Sequence, residues 1–215
     1  MPVPLKIDFV SDISCPWCVI GLRALEQAMA RLDGQVAVDL HFQPFELNPQ
    51  MPPGGQDIDE HLQQKYGSTP EQAALVRERI RAAGAALGFT FSLQTRSRIY
   101  NTFDAHRLLH WAALEGRQLA LKQALFQAYF TDGEDPSNHQ VLIRAAARVG
   151  LDATRAARIL DSNEFAAVVR KEQAFFQDQG IHAVPAVIIN NQHLIQGGQP
   201  VEVFEQALRQ IAGLA

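Results

Sequence analysis

Two strand patterns bracket one helix pattern at the start of the chain, and that opening limits the possible folds more than any other feature. Ile7 to Val10 is a short apolar run rich in β-formers, and Val36 to Phe45 alternates, with Val36, Val38, Leu40 and Phe42 set against Ala37, Asp39, His41 and Gln43. Between them Cys18, Leu22, Leu25, Met29 and Leu32 recur at steps of four and three, one face of an α-helix. The opening therefore reads β-α-β. Such a crossover makes the two strands parallel, and parallel strands need helices over the sheet.

Pro44, Pro49, Pro52, Pro53, Gly54 and Gly55 interrupt this pattern, and no strand signal returns until about residue 180. The intervening periodicity is helical. Val76, Ile80, Ala83 and Leu87 predict one stripe, Ala105, Leu108, Leu109 and Ala112 a second, and Val141, Leu142, Ala145, Ala146 and Val149 a third. Ser68-Thr69-Pro70-Glu71 and Asp135-Pro136-Ser137-Asn138 supply capping side chains, while Gly88, Gly116 and Gly150 stand where helices should stop. Phe165, Val168, Glu172, Phe175 and Phe176 predict a further helix returning to the sheet. Strands resume at Ala186 to Asn190 and His193 to Gln196, around the polar turn Asn190-Asn191-Gln192, and Phe204, Ala207, Leu208 and Ile211 predict a closing helix. The pattern predicts one α/β domain, residues 1–52 and 163–215, interrupted by an all-helical insertion over 53–162.

Composition narrows the function classes. With 215 residues, 47% hydrophobic and 20% charged, the chain falls in the globular range, away from disordered or fibrous proteins. A net charge of -4 supplies no basic footprint for phosphate backbones, so nucleic acid is not an expected partner. The longest apolar runs, such as Ala183 to Ile189, fall far short of the roughly 20 residues a spanning helix requires, so no membrane is expected either. The first ten residues show no charged stretch leading into an apolar export segment, so a cytoplasmic location is expected.

The cysteines are Cys15 and Cys18, in Cys15-Pro16-Trp17-Cys18 at the junction of the first strand and the first helix. Pro16 suits the first helical turn, where its missing N–H would be unpaired anyway. The first sulfur is thus expected at a helix N-terminus and exposed. Unpaired N–H groups and the positive end of the dipole favour thiolate, and cysteine pKa values at such sites fall to roughly 3.5–7.5 from about 8.5. At a pKa of about 6 the thiolate fraction at pH 7 rises roughly thirtyfold, while nucleophilicity falls roughly tenfold. The reduced form gains about 1.4 kcal/mol, or roughly 30 mV toward oxidising behaviour, so the shift tunes direction more than speed. Alternatives stand beside a redox pair: half of a zinc site completed by His106 and His110, a small structural disulfide, or inert buried thiols.

Strand, Cys-Pro-Trp-Cys, helix, helical insertion and a late Val184-Pro185 before a strand resemble the DsbA-type branch of the thioredoxin superfamily over nearly the whole chain. Four segments in order are similar to motifs of its FrnE-like cytosolic group: residues 11–21 around the cysteines, Pro44-Phe45-Glu46-Leu47-Asn48-Pro49, Asn101-Thr102-Phe103-Asp104-Ala105-His106-Arg107-Leu108, and Gln196-Gly197-Gly198-Gln199-Pro200. The related 2-hydroxychromene-2-carboxylate isomerases and kappa-type transferases carry serine in place of the first cysteine, whereas this chain keeps Cys15.

The resemblance implies a thioredoxin-like α/β fold with a DsbA-type helical insertion, and thiol-disulfide oxidoreductase or isomerase activity. Cys15 would attack and Cys18 resolve, with no metal or organic cofactor required and glutathione compatible as co-substrate. Expected partners are protein disulfides or dithiols, or glutathione. It further implies a cis Pro185 facing the cysteines, with the Val184 backbone docking substrate. Asp12 either tunes the thiols or caps locally. His106 and Asn101 reach the cleft from the insertion, or His106 lies on a helix surface. Trp17, beside Pro16, contacts substrate or covers the cleft rim. Glu46 and Asn48 read as structural. The alternative function is a glutathione-dependent isomerase or transferase acting on a small aromatic or polyketide-like molecule. A third reading is a binding protein whose helical block offers an apolar groove.

Overall fold

The computed structural model describes residues 1–92 and 97–214. Strands β1 (Val3–Ser11) and β2 (Val36–Pro44) run parallel, with Val3 opposite Val36 and Ser11 opposite Pro44. Helix α1 (Pro16–Arg31) makes the crossover expected between them. From Ile7 to Ser11 every residue of β1 is buried, as in a central strand covered on both faces. On α1, Cys18, Leu22 and Leu25 face the core with Val19, Ala24 and Ala28.

Between β2 and the return to the sheet come β3 (Gln56–Asp57), α2 (Ile58–Tyr66), α3 (Pro70–Ala86), β4 (Arg98–Ile99), α4 (Phe103–Leu114), α5 (Gln118–Phe126), a π-helical turn (Gln127–Thr131), α6 (His139–Arg148), α7 (Ala153–Leu160) and α8 (Ala166–Asp178). The insertion is therefore not all-helical. β3 and β4 pair antiparallel, Gln56 with Ile99 and Asp57 with Arg98, and two-residue strands are too short to leave a period in the sequence. The helix starts follow the capping residues: Thr69 forms a capping box with Gln72, and the Asn138 side chain accepts from Gln140 N.

Two helix faces differ from expectation. On α3 the buried positions are Ala73, Ile80 and Gly84, and Val76 is 49% exposed. Gly84 lies so close to the Phe91 ring that a Cβ there would stand 2.4 Å from it, so the packing face is set by small residues that hydropathy alone does not mark. On α8 the buried positions are Val169, Gln173 and Phe176, while Phe175 is 55% exposed. Gln173 turns inward because its amide donates to the buried Glu46 carboxylate.

Strands β5 (Ala186–Ile189) and β6 (His193–Gln196) complete a sheet of order β2-β1-β5-β6, with β5 antiparallel to both β1 and β6. Asn190 and Asn191 hold φ of 52° and 56°, and Gln192 N bonds to Ile189 O at 3.1 Å, the type I′ geometry that asparagine tolerates. Helix α9 (Val201–Ile211) packs on α1, while α4, α5 and α8 pack against β2.

Candidate active site

β1 ends at Ser11 and α1 starts at Pro16, so the loop between them fixes the first thiol. Cys15 is the N-cap residue, with φ -92° and ψ 112°, and Pro16 occupies the first turn. Cys15 N bonds to Asp12 O at 3.3 Å and Cys18 N to Cys15 O at 3.1 Å. Both thiols are free; Cys15 is 4% exposed and Cys18 0%. Cys15 is therefore buried rather than exposed as expected, with its thiol packed against the Val184 carbonyl.

Val184-Pro185 is a cis peptide bond, as the resemblance implied, and the Cys15 thiol donates to Val184 O across 3.6 Å. Gly197 N bonds to Pro185 O at 2.8 Å. A Cβ on Gly198 would stand 2.9 Å from Trp17 O, and one on Gly21 3.1 Å from Pro185 Cγ. The Gln196–Pro200 motif therefore lets three backbone segments meet without side chains between them.

Asp12 is a long-range junction as well as a local cap. Its carboxylate accepts from Ser14 N (3.2 Å) and Ser14 Oγ (2.9 Å) within the loop, and from Leu47 N (2.7 Å) and Thr102 Oγ1 (2.7 Å) across the fold. His106 is not a surface histidine: it is buried, with Nε2 3.6 Å from Asp12 Oδ1. Burial pushes the Asp12 carboxyl up, but His106 and the donors from Leu47 and Thr102 outweigh it and hold the group below its usual range. Asp12 is therefore an ionised carboxylate beneath the cysteine loop.

Burial, followed by the hydrogen bond and charge of neighbouring Cys15, pushes the Cys18 thiol well above its ordinary value. Lys122 on α5 opposes this, and the sequence reading missed it. It is 0% exposed, with Nζ 5.0 Å and 5.7 Å from the ring centroids of Phe126 and Phe42, and burial pulls its ammonium down to about 8. Its signal was present, since Leu121, Lys122, Leu125 and Phe126 share the buried face of one helix and Lys122 is the charge among them. Thr102 was passed over for the same reason Asn101 was chosen: both lie in one motif, but only contacts separate them.

Asn101 caps rather than lines the cleft. Its Oδ1 accepts from Phe103 N at 2.9 Å and its Nδ2 donates to Pro49 O at 3.5 Å. Trp17 is half-buried on the rim, with the Arg79 guanidinium 5.5 Å from its ring. Tyr66, exposed at the end of α2, has its phenol pushed up by burial and then by the charge of Cys15, which places it on the same side. Glu46 is structural, paired with Arg170 and accepting from Gln173 Nε2 at 2.9 Å, and Asn48 Oδ1 accepts from Lys65 at 2.7 Å. His110 faces Glu172 at 3.3 Å, and no group of three or more His, Cys, Asp or Glu that could hold a metal ion forms among the described residues.

A thiol at the N-terminus of the first helix, opposite a cis-proline on a four-stranded sheet, defines a thioredoxin-like protein. The model of the DSBA-like thioredoxin domain matches residues 6–209, and the chain belongs to that family. It is 26% identical over 209 residues to the uncharacterized protein YwbO of Bacillus subtilis (strain 168), covering 97% of this chain and 96% of that one. It superposes on the crystal structure of a probable DsbA oxidoreductase from Streptomyces coelicolor with a TM-score of 0.91 and 32% identity, covering 98% and 91% of the two chains. The cytosolic disulfide reductase DsbM of Pseudomonas aeruginosa, in a structure with GSH, shares the fold at a TM-score of 0.68 and 18% identity, covering 97% and 100%.

Proposed function

We propose that the protein exchanges thiols and disulfides through Cys15 and Cys18, with glutathione as its small thiol partner and no metal or organic cofactor. The observation that carries this reading is the Cys15 thiol, seated at the start of α1 and touching Val184 O, with the fully buried Cys18 one helical turn on. A substrate strand laid along Val184 would present its sulfur to Cys15. The Cys15 thiolate attacks a substrate disulfide, forming a mixed disulfide and expelling one substrate thiolate, which takes up a proton. Cys18 then loses its proton and attacks the Cys15 sulfur, releasing the second substrate thiol and leaving a Cys15–Cys18 disulfide. Two electrons pass to the substrate, and two glutathione molecules, becoming one glutathione disulfide, restore the dithiol. Run backward, the same steps oxidise a client. The DsbM structure with GSH supports glutathione, and a thiol-rich cytosol is where such a cycle is sustained.

Non-reducing gels and turnover of a model protein disulfide, with a glutathione-regenerating system, test this on Cys15→Ser and Cys18→Ser. Cys15→Ser should be inactive and free of adducts. Cys18→Ser should accumulate dithiothreitol-sensitive adducts with client or glutathione and lose at least about tenfold in rate, because only external thiol resolves them. If Cys18→Ser matches the wild type without adducts, the two-cysteine reading is wrong and the monothiol isomerase or transferase reading takes its place.

A further inference from the structure

A cavity lies between β2 and helices α4, α5 and α8. It encloses about 140 Å³ between His41–Pro44 of β2, His106 and His110 of α4, Gln118 and Lys122 of α5, and Glu172 of α8. One of its lining groups, Lys122 Nζ, is a buried polar atom without a hydrogen-bond partner among the described residues, whereas His106 Nε2 lies 3.6 Å from Asp12 Oδ1. A lysine ammonium has three donors and no acceptor, and leaving such a group unsatisfied in the interior is costly. The other polar side chains do not relieve it. Gln118 is occupied at both ends by the Phe42 backbone, Gln43 donates to Asp8, and His110 faces Glu172.

We propose that this cavity binds a small, singly charged oxyanion of the carboxylate class at Lys122 Nζ, and that its occupancy is felt at Cys15 and Cys18. The donor fits an anion: Lys122 offers ammonium hydrogens, while His106 Nε2 faces Asp12 Oδ1 at 3.6 Å. The space, about 140 Å³, is large enough for an acetate-sized ion. Charge selects further, because the Glu172 carboxylate stands among the lining groups and disfavours a doubly charged guest. Coupling to the thiols follows from the same lysine, whose charge interacts with Cys18, Asp12 and Cys15. A bound anion neutralises that charge and withdraws support from the thiolates.

The experiment uses the intact reduced protein labelled with ¹³C at the lysine Cε atoms, which reports Lys6, Lys65, Lys122 and Lys171 separately. Sodium acetate, titrated at fixed ionic strength, should move the Lys122 signal saturably and leave Lys6 and Lys171 in place. Inorganic phosphate should need a higher concentration. Ala113→Leu, an exposed change at the cavity lining, should weaken the acetate response about tenfold while the Lys122 signal persists. Acetate at saturation should also slow iodoacetamide labelling of Cys15 by at least twofold in the wild type and not in Lys122→Met. A Lys122 signal that is unmoved, moves linearly with all the other lysines, or saturates first with phosphate overturns the site. Saturation without a change in labelling overturns the coupling. None of these readouts needs disulfide turnover, so they fail or succeed independently of the proposed reaction.

Discussion

The Cys15 thiol donates to Val184 O across 3.6 Å, tying the first turn of α1 to a residue 169 positions later in the chain. The same carbonyl end of the Val184-Pro185 segment is anchored from behind, where Gly197 N bonds to Pro185 O at 2.8 Å. The Cys15 thiol and the Val184 carbonyl are thus held by two different elements, the α1 N-terminus and the loop leading into β5.

Alkylation should distinguish the two thiols. Cys18 is fully buried and its thiol is pushed up by burial and then by Cys15, which holds it in the neutral form at pH 7. Cys15, at the N-cap, is 4% exposed against 0% for Cys18. Iodoacetamide at limiting concentration should label Cys15 at least about tenfold faster than Cys18. Mass mapping of the tryptic peptides reads the ratio, and equal labelling, or Cys18 first, would contradict this arrangement.

Asp12→Asn should weaken the fold in a pH-dependent way. The Asp12 carboxyl is held below its usual 3.8, so its contribution is fully present above that value and is lost as pH falls through the lowered one. At pH 7 the variant should lose on the order of 1–3 kcal/mol, because Leu47 N and Thr102 Oγ1 exchange a charged acceptor for a neutral one. As pH falls below 3.8 the gap between variant and wild type should narrow. Urea unfolding at both pH values checks this; a constant gap would mean that Asp12 is not ionised in the fold.

The residues that could be read in advance were those whose role is local. The β-α-β opening, the Asn190-Asn191 turn and the caps at Thr69 and Asn138 each follow from a few neighbouring residues. Cys15 at a helix start needed only Pro16 and the strand before it. The cis Val184-Pro185 bond beside Cys15 came from family resemblance, since nothing local places a residue that far along the chain against α1. What was misread depends on distant partners. Gln173 is buried by Glu46, α3 turns on the approach of Gly84 to Phe91, and Lys122 faces the thiols only because α5 packs on β2. Asn101 and His106, neighbours in one motif, separate into a cap and a buried partner of Asp12.

Gly198→Ala should disturb both stability and the thiol site. The added Cβ would stand 2.9 Å from Trp17 O and 3.4 Å from Gly21 N, backbone atoms that cannot rotate away. Forcing α1 from the Pro185 segment should cost about 1–3 kcal/mol. It should also lengthen the contact between Cys15 and Val184. Thermal unfolding together with the iodoacetamide rate at Cys15 checks both effects, and a variant with unchanged melting and unchanged labelling would show that this close approach is dispensable.

Lys122→Met should stabilise the reduced protein near neutrality while impairing its thiol chemistry. Burial lowers the ammonium from its usual 10.5 to about 8, so the unfolded chain binds more protons than the folded one between those values, and wild-type stability should rise with pH across that window. At pH 7 the folded protein still carries the buried charge at a cost on the order of 3 kcal/mol. Methionine keeps most of the length, packs against Phe42 and Phe126, and carries no charge to desolvate. The variant should therefore gain on the order of 1–3 kcal/mol at pH 7, less above pH 10, where wild-type Lys122 is largely neutral in both states. At the same time the thiols lose the positive charge that opposes the burial of Cys18. Disulfide exchange should slow even as the melting temperature rises. Denaturant unfolding at pH 7 and pH 10, paired with turnover of a model disulfide, separates the two effects. A variant less stable at pH 7 with unchanged exchange would show that Lys122 is held for packing alone.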